Sequence, residues 1–178
     1  NYGSTCTLTA SANTGYSFVR WTKNGSQVST NASYSFTVTE NATYVAVFSL
    51  NSYTISTSAN PSAGGTVSGG GSYNYGSNCT LTATPATSYS FVRWTKNGSQ
   101  VSTNPSYSFT VTGNAGYVAV FSLNSYTISV SANPSAGGTV SGGGTYDYGS
   151  SCTLTATANT GYTFVRWTKN GSQVSTNS

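Results

Sequence analysis

The stretch Gly15-Tyr16-Ser17-Phe18-Val19-Arg20-Trp21-Thr22-Lys23-Asn24-Gly25 decides how this chain reads. It returns as Ser88-Tyr89-Ser90-Phe91-Val92-Arg93-Trp94-Thr95-Lys96-Asn97-Gly98, and again as Gly161-Tyr162-Thr163-Phe164-Val165-Arg166-Trp167-Thr168-Lys169-Asn170-Gly171. The copies hold every tryptophan, lysine and arginine of the 178 residues. Alternation with a period of two marks a strand. It places Val19 with Trp21 on one face, and Tyr16, Phe18 and Arg20 on the other. The closing Asn-Gly is a strong hairpin signal, because both central residues of a type I′ turn need positive φ.

Working outward, the same spacing governs the cysteines. Cys6, Cys79 and Cys152 lie 73 residues apart (79 − 6; 152 − 79), as do Trp21, Trp94 and Trp167. The chain is therefore a tandem array of 73-residue units, and repetition at a fixed period is read before anything else. Cuts at Asn51 and Asn124 give one whole unit, 51–123, flanked by 1–50, which lacks its first strands, and 124–178, which lacks its last. Ends that fall inside a repeat read as a window on a longer secreted chain, with a boundary permuted from these cuts, or a terminal strand supplied by a neighbour, as the alternatives.

The whole unit reads as β throughout. Strands are expected at 53–59, 66–68, 79–84, within the stretch 88–98, and at 99–102, 106–111 and 117–121, separated by turn chemistry such as Asn60-Pro61-Ser62-Ala63-Gly64-Gly65. One face of these strands is Ser or Thr, as at Thr80, Thr82 and Thr84, while the other carries Cys, Leu, Ala, Ile and aromatic residues. That pattern describes sheets with one buried face. The fold class is all-β, with no substantial helix. At Phe121-Ser122-Leu123-Asn124-Ser125-Tyr126 there is no Gly, Pro or charge run between units. Linkers are usually Gly/Ser-rich or Pro-rich, so this junction predicts a fixed angle between neighbours.

Charged residues make up 4% of the chain, against about 25% in an ordinary soluble domain. A neutral hydroxyl-rich surface responds weakly to salt and gives little repulsion between copies. The net charge of +4 is spread as one Arg/Lys pair per repeat. Nucleic acid would need a dense basic face, and no apolar run approaches the ~20 residues of a membrane span.

The series T-L-T-A-T followed by Y-x-F-V-x-W, a hairpin and Y-V-A-V-F, with the opening Y-T-I-S-V-S-A-N-P-S-A-G-G-T-V-S-G-G-G at 126–144, resembles the divergent InlB B-repeat family of bacterial surface proteins. The resemblance covers the whole unit and both partial ones. It implies a secreted or wall-linked stalk or adhesin module, a small β fold of β-grasp-like or sandwich form, and no catalytic residues. Arg20, Arg93 and Arg166 stand where the family usually has Gly, and Cys6, Cys79 and Cys152 where it usually has a small apolar residue.

Catalysis lacks an inventory. Acid–base chemistry needs His or placed carboxylates, and the chain has no His and only Glu40 and Asp147, whose counterparts in the middle unit are Gly113 and Asn74. A repeated Ca²⁺ site fails for want of carboxylates, and no cofactor is expected. One Cys per unit cannot pair within its unit. Cys6, Cys79 and Cys152 read as buried free thiols, with cross-links between units or chains as the alternative in an oxidising compartment. Trp21, Trp94 and Trp167 read as core. Sequons at Asn24, Asn97 and Asn170 arise readily in Ser/Thr/Asn-rich sequence.

What remains specific is the basic pair of each unit. Arg20, Lys23, Arg93, Lys96, Arg166 and Lys169 are the candidate contacts between units or with a ligand. The expected partners are neighbouring repeats, other copies of the chain, and, on a second reading, glycans or a host protein.

Overall fold

A computed structural model describes all of residues 1–178. The first part contains β1 (Thr5–Thr9), β2 (Tyr16–Lys23), β3 (Ser26–Ser29), β4 (Ser33–Thr37) and β5 (Tyr44–Leu50). The middle contains β6 (Ser52–Asn60), β7 (Gly65–Ser68), β8 (Gly71–Asn74), β9 (Asn78–Pro85), β10 (Tyr89–Lys96), β11 (Ser99–Ser102), β12 (Ser106–Thr110) and β13 (Ala115–Leu123). The last part contains β14 (Ser125–Ile128), β15 (Gly138–Ser141), β16 (Gly144–Asp147), β17 (Thr155–Ala158), β18 (Trp167–Lys169) and β19 (Ser172–Ser175). Single 3-10 turns at Ser62–Gly64 and Ser135–Gly137 are the only helical segments, so the chain is all-β.

The middle unit is two sheets around one core. A five-stranded sheet runs β11-β10-β13-β6-β8, and a three-stranded sheet runs β12-β9-β7. Ile55, Trp94, Tyr117, Ala119 and Phe121 reach in from the first, and Cys79, Leu81 and Ala83 from the second. The first and last strands of the unit, β6 and β13, pair in parallel, with Ile55 opposite Ala115 and Asn60 opposite Val120. A parallel pair needs a long crossover; here residues 61–114, including the whole second sheet, provide it. The second sheet packs over the face that holds this pair, which gives the small-sandwich form.

The hairpins close as the Asn-Gly signal predicts. Asn24, Asn97 and Asn170 have φ of 46°, 51° and 52°, and Gly25, Gly98 and Gly171 follow at 87°, 81° and 85°. Short strand β8 was not expected, because its Gly-rich opening reads as a bend. Its Tyr73 pairs with Tyr53 across from β6.

One expectation is overturned. Strict alternation put Val92 with Trp94 in the core and Phe91 outside. In the structure Phe91 sits opposite Phe121 and Arg93 opposite Val120, so Val92 is the extra residue of a β-bulge. A bulge inserts one residue and resets the alternation. Phe91 and Trp94 therefore both face inward with ring centroids 6.1 Å apart, and Val92 is exposed. The same bulge falls at Val19, between Phe18 opposite Phe48 and Arg20 opposite Val47.

Trp94 is fully buried and its indole N–H donates to the Pro105 carbonyl at 3.0 Å. Trp21 is nearly buried and donates to Ala32, whereas Trp167 is half-buried. Cys79 is fully buried, Cys6 half-buried and Cys152 exposed, so the core reading of Cys6 and Cys152 is corrected. The cause is the company each keeps. Cys79 lies opposite Phe109 on β12, and Cys6 opposite Phe36 on β4 with no third strand, but no strand pairs with residues 151–154. All three thiols are free.

Candidate functional site

The chain passes from β5 to β6 through the single residue Asn51, and from β13 to β14 through Asn124. Neither is a linker. The N–H of Asn51 donates to the Gly15 carbonyl at 2.8 Å, and the Asn51 carbonyl accepts from the Tyr75 N–H at 2.8 Å. Gly15 extends the β2–β5 ladder past Tyr16 opposite Leu50, and Tyr75 extends the β6–β8 ladder past Ser52 opposite Asn74. Asn51 thus closes the ladder of one unit and opens that of the next. Its side-chain Oδ1 accepts from the Ser17 hydroxyl at 2.6 Å.

The second joint repeats the first. Asn124 donates to the Ser88 carbonyl at 2.8 Å, accepts from Tyr148 at 2.7 Å, and takes the Ser90 hydroxyl at 2.7 Å. Buried main-chain polar groups must find partners, and here they find them across the unit boundary. At each joint one residue carries the last hydrogen bond of one ladder and the first of the next. The repeated string Leu-Asn-Ser-Tyr at 50–53 and 123–126 was the available signal; its asparagine is a hydrogen-bonding residue at a fixed place, not filler.

The joints use none of the basic residues. Arg20 and Arg93 are half-buried on the outer face of the sheet, Arg166 is exposed, and none is hydrogen-bonded or ion-paired. Lys23 makes the single ion pair of the chain, with Glu40. Their hydrogen bond raises the Lys23 ammonium pKa and lowers that of the Glu40 carboxyl. In the middle unit Gly113 replaces the acid, and Lys96 instead stands 5.7 Å from the ring centre of Tyr117. The burial of Tyr117 pushes its hydroxyl pKa up. Lys169 has no ionic partner. The six basic residues are not brought together; Arg20 and Lys23 share β2, Arg93 and Lys96 share β10, and Lys169 lies on β18 with Arg166 just before it.

The outer face of β7, β9 and β12 carries Thr66, Ser68, Thr80, Thr82, Ser106 and Ser108, all exposed. Thr80 and Ser108 share a hydrogen bond of 2.8 Å across the strands, as Thr7 and Ser35 do at 2.7 Å. No group of His, Cys, Asp and Glu is placed to hold a metal ion, and no helix is long and apolar enough to cross a membrane.

A family model for the divergent InlB B-repeat domain matches residues 1–52, 55–125 and 128–178. No curated protein and no solved structure matches the chain.

Proposed function

The chain belongs to the divergent InlB B-repeat domain family, and from that membership we propose that it is a structural array, a length-setting stalk segment of a bacterial secreted or cell-surface protein. The joint at Asn51 and Asn124 is the observation that carries this reading. Main-chain hydrogen bonds on both sides of one residue support a joint stiffer than a flexible linker. The connection lies within one chain, which favours a stalk over a filament of separate subunits. A surface with 4% charged residues suits a module that holds distance and performs no chemistry of its own.

The parallel pairing sets the length that each unit adds. With Ile55 opposite Ala115, Ser52 stands level with residue 112, and its counterpart Ser125 lies 13 residues further along. At a strand rise of about 3.3 Å per residue, each repeat advances the array by roughly 40 Å. Negative-stain images of the chain and of longer tandem arrays test this. Straight rods that lengthen by that step are expected; flexible strings of beads would remove the stalk reading.

An adhesive module is the second reading, and the unpaired guanidinium groups of Arg20, Arg93 and Arg166 favour it. Such a surface would take an anionic glycan or host protein with avidity from repetition. Burial of Trp94 takes its ring out of that surface. Glycan-array binding that is lost on changing all three arginines to glutamine would support it.

A further inference from the structure

The two joints share their backbone hydrogen bonds but differ at the residue that meets the incoming tyrosine, Gly15 in one and Ser88 in the other, and we infer that this difference makes the second joint the place where the array bends or opens first. At the first joint Gly15 is buried under the ring of Tyr75, and a Cβ at position 15 would overlap that ring. Tyr75 is held on its other side by Tyr53, at 6.5 Å and 60° between rings. At the second joint Ser88 occupies the place of Gly15, and Tyr148 the place of Tyr75. Tyr148 is 52% exposed.

The cause lies in the turn before β2 and β10. Tyr16 donates to Asn13 at 3.0 Å across a turn whose third residue, Gly15, has φ of +82°. Positive φ at that position is the type II form and favours glycine. Tyr89 donates to Ala86 at 2.9 Å across the matching turn, but Ser88 stays at negative φ. Serine brings both a side chain and a different turn, and the tyrosine that would lock the joint stands off. Gly161, in the third copy, has φ of +86° and restores the form that seats a ring. One residue per unit thus sets the stiffness of the next joint, so an array can vary its bending along its length while its cores stay alike. The use of this in a stalk rests on the reading above; the difference between joints does not.

Amide hydrogen exchange by NMR tests it, because Asn51 and Asn124 have the same neighbours, Leu before and Ser-Tyr after. A seated aromatic contact predicts that Asn124 exchanges on the order of tenfold faster than Asn51. Ser88→Gly should slow Asn124 by about the same factor, and adding Tyr148→Ala should cancel the gain. Gly15→Ser should speed Asn51 to the rate of Asn124. An unchanged signal from the Trp94 indole N–H shows that the core of the middle unit is intact in each variant. Equal rates in the unaltered chain, or no response to Ser88→Gly, would overturn the inference and leave a uniformly stiff array standing. Bead-like images would remove the stalk without touching this comparison.

Discussion

The Asn51 side chain accepts a hydrogen bond from the Ser17 hydroxyl at 2.6 Å, and Asn124 repeats the contact with Ser90 at 2.7 Å. Two residues 34 positions apart thereby tie the entry strand of one unit to the organising strand of the unit before it. No apolar surface is needed for this, which suits a chain whose outer faces are hydroxyl-rich.

Replacing Asn51 by Ala removes that acceptor and leaves both main-chain bonds. The expected loss is about 0.5–1.5 kcal/mol for one neutral hydrogen bond. Asn51→Pro also removes the N–H given to Gly15 and should loosen the whole joint. Small-angle scattering reads the outcome: the maximum dimension should be kept in the Ala variant and should shrink or broaden in the Pro variant.

The bulge at Val92 assigns different costs to two neighbours. Phe91→Ala should destabilise the middle unit by about 3 kcal/mol, the scale of a large aromatic lost from a core. Val92→Ala should cost under about 0.5 kcal/mol, the range of surface changes. Urea unfolding followed by tryptophan fluorescence separates them, and the reverse order of costs would restore the unbulged strand.

The thiols should react in order of exposure. Maleimide labelling followed by mass spectrometry should modify Cys152 first and Cys6 next, with Cys79 reacting only on unfolding. Rapid modification of Cys79 in the folded chain would contradict its burial.

The Lys23–Glu40 pair gives the first part of the chain a pH dependence that the middle lacks. The folded carboxyl pKa is lowered, so its contribution is present above the unfolded carboxylate value, about 4.3. It is lost as pH falls through the folded value. Lys23 is raised, so its share holds below the unfolded value, about 10.4, and is lost as pH rises through the folded one. An NMR titration of Glu40 should show a midpoint below about 4.3 that returns to that value in Lys23→Gln.

The array, the period and the hairpins were legible because their signals are local or repetitive. Asn97-Gly98 needs only its own backbone preferences, and the spacing of Cys and Trp needs only counting. The bulge was not legible. Val92 is apolar and in phase with Trp94, and only the partner strand, with Phe121 beside Val120, shows where the register slips. The joint was half legible. The missing linker was visible, but the residues that carry the joint's hydrogen bonds are polar and small. Arg20 and Arg93 drew attention because charge is scarce here, and scarcity does not report contact. The exchange of Gly15 for Ser88 stood in plain view between the copies, yet its meaning depends on Tyr75, 60 residues away along the chain.

The parallel pairing of β6 with β13 has a mechanical consequence. The chain enters the middle unit at the start of β6 and leaves at the end of β13, which lie at opposite ends of the paired strands. A pull along the array therefore drives these strands past one another. Their hydrogen bonds are loaded together, in shear, and cannot be peeled apart one at a time. The fold places the pairing of its first and last strands across the line of force.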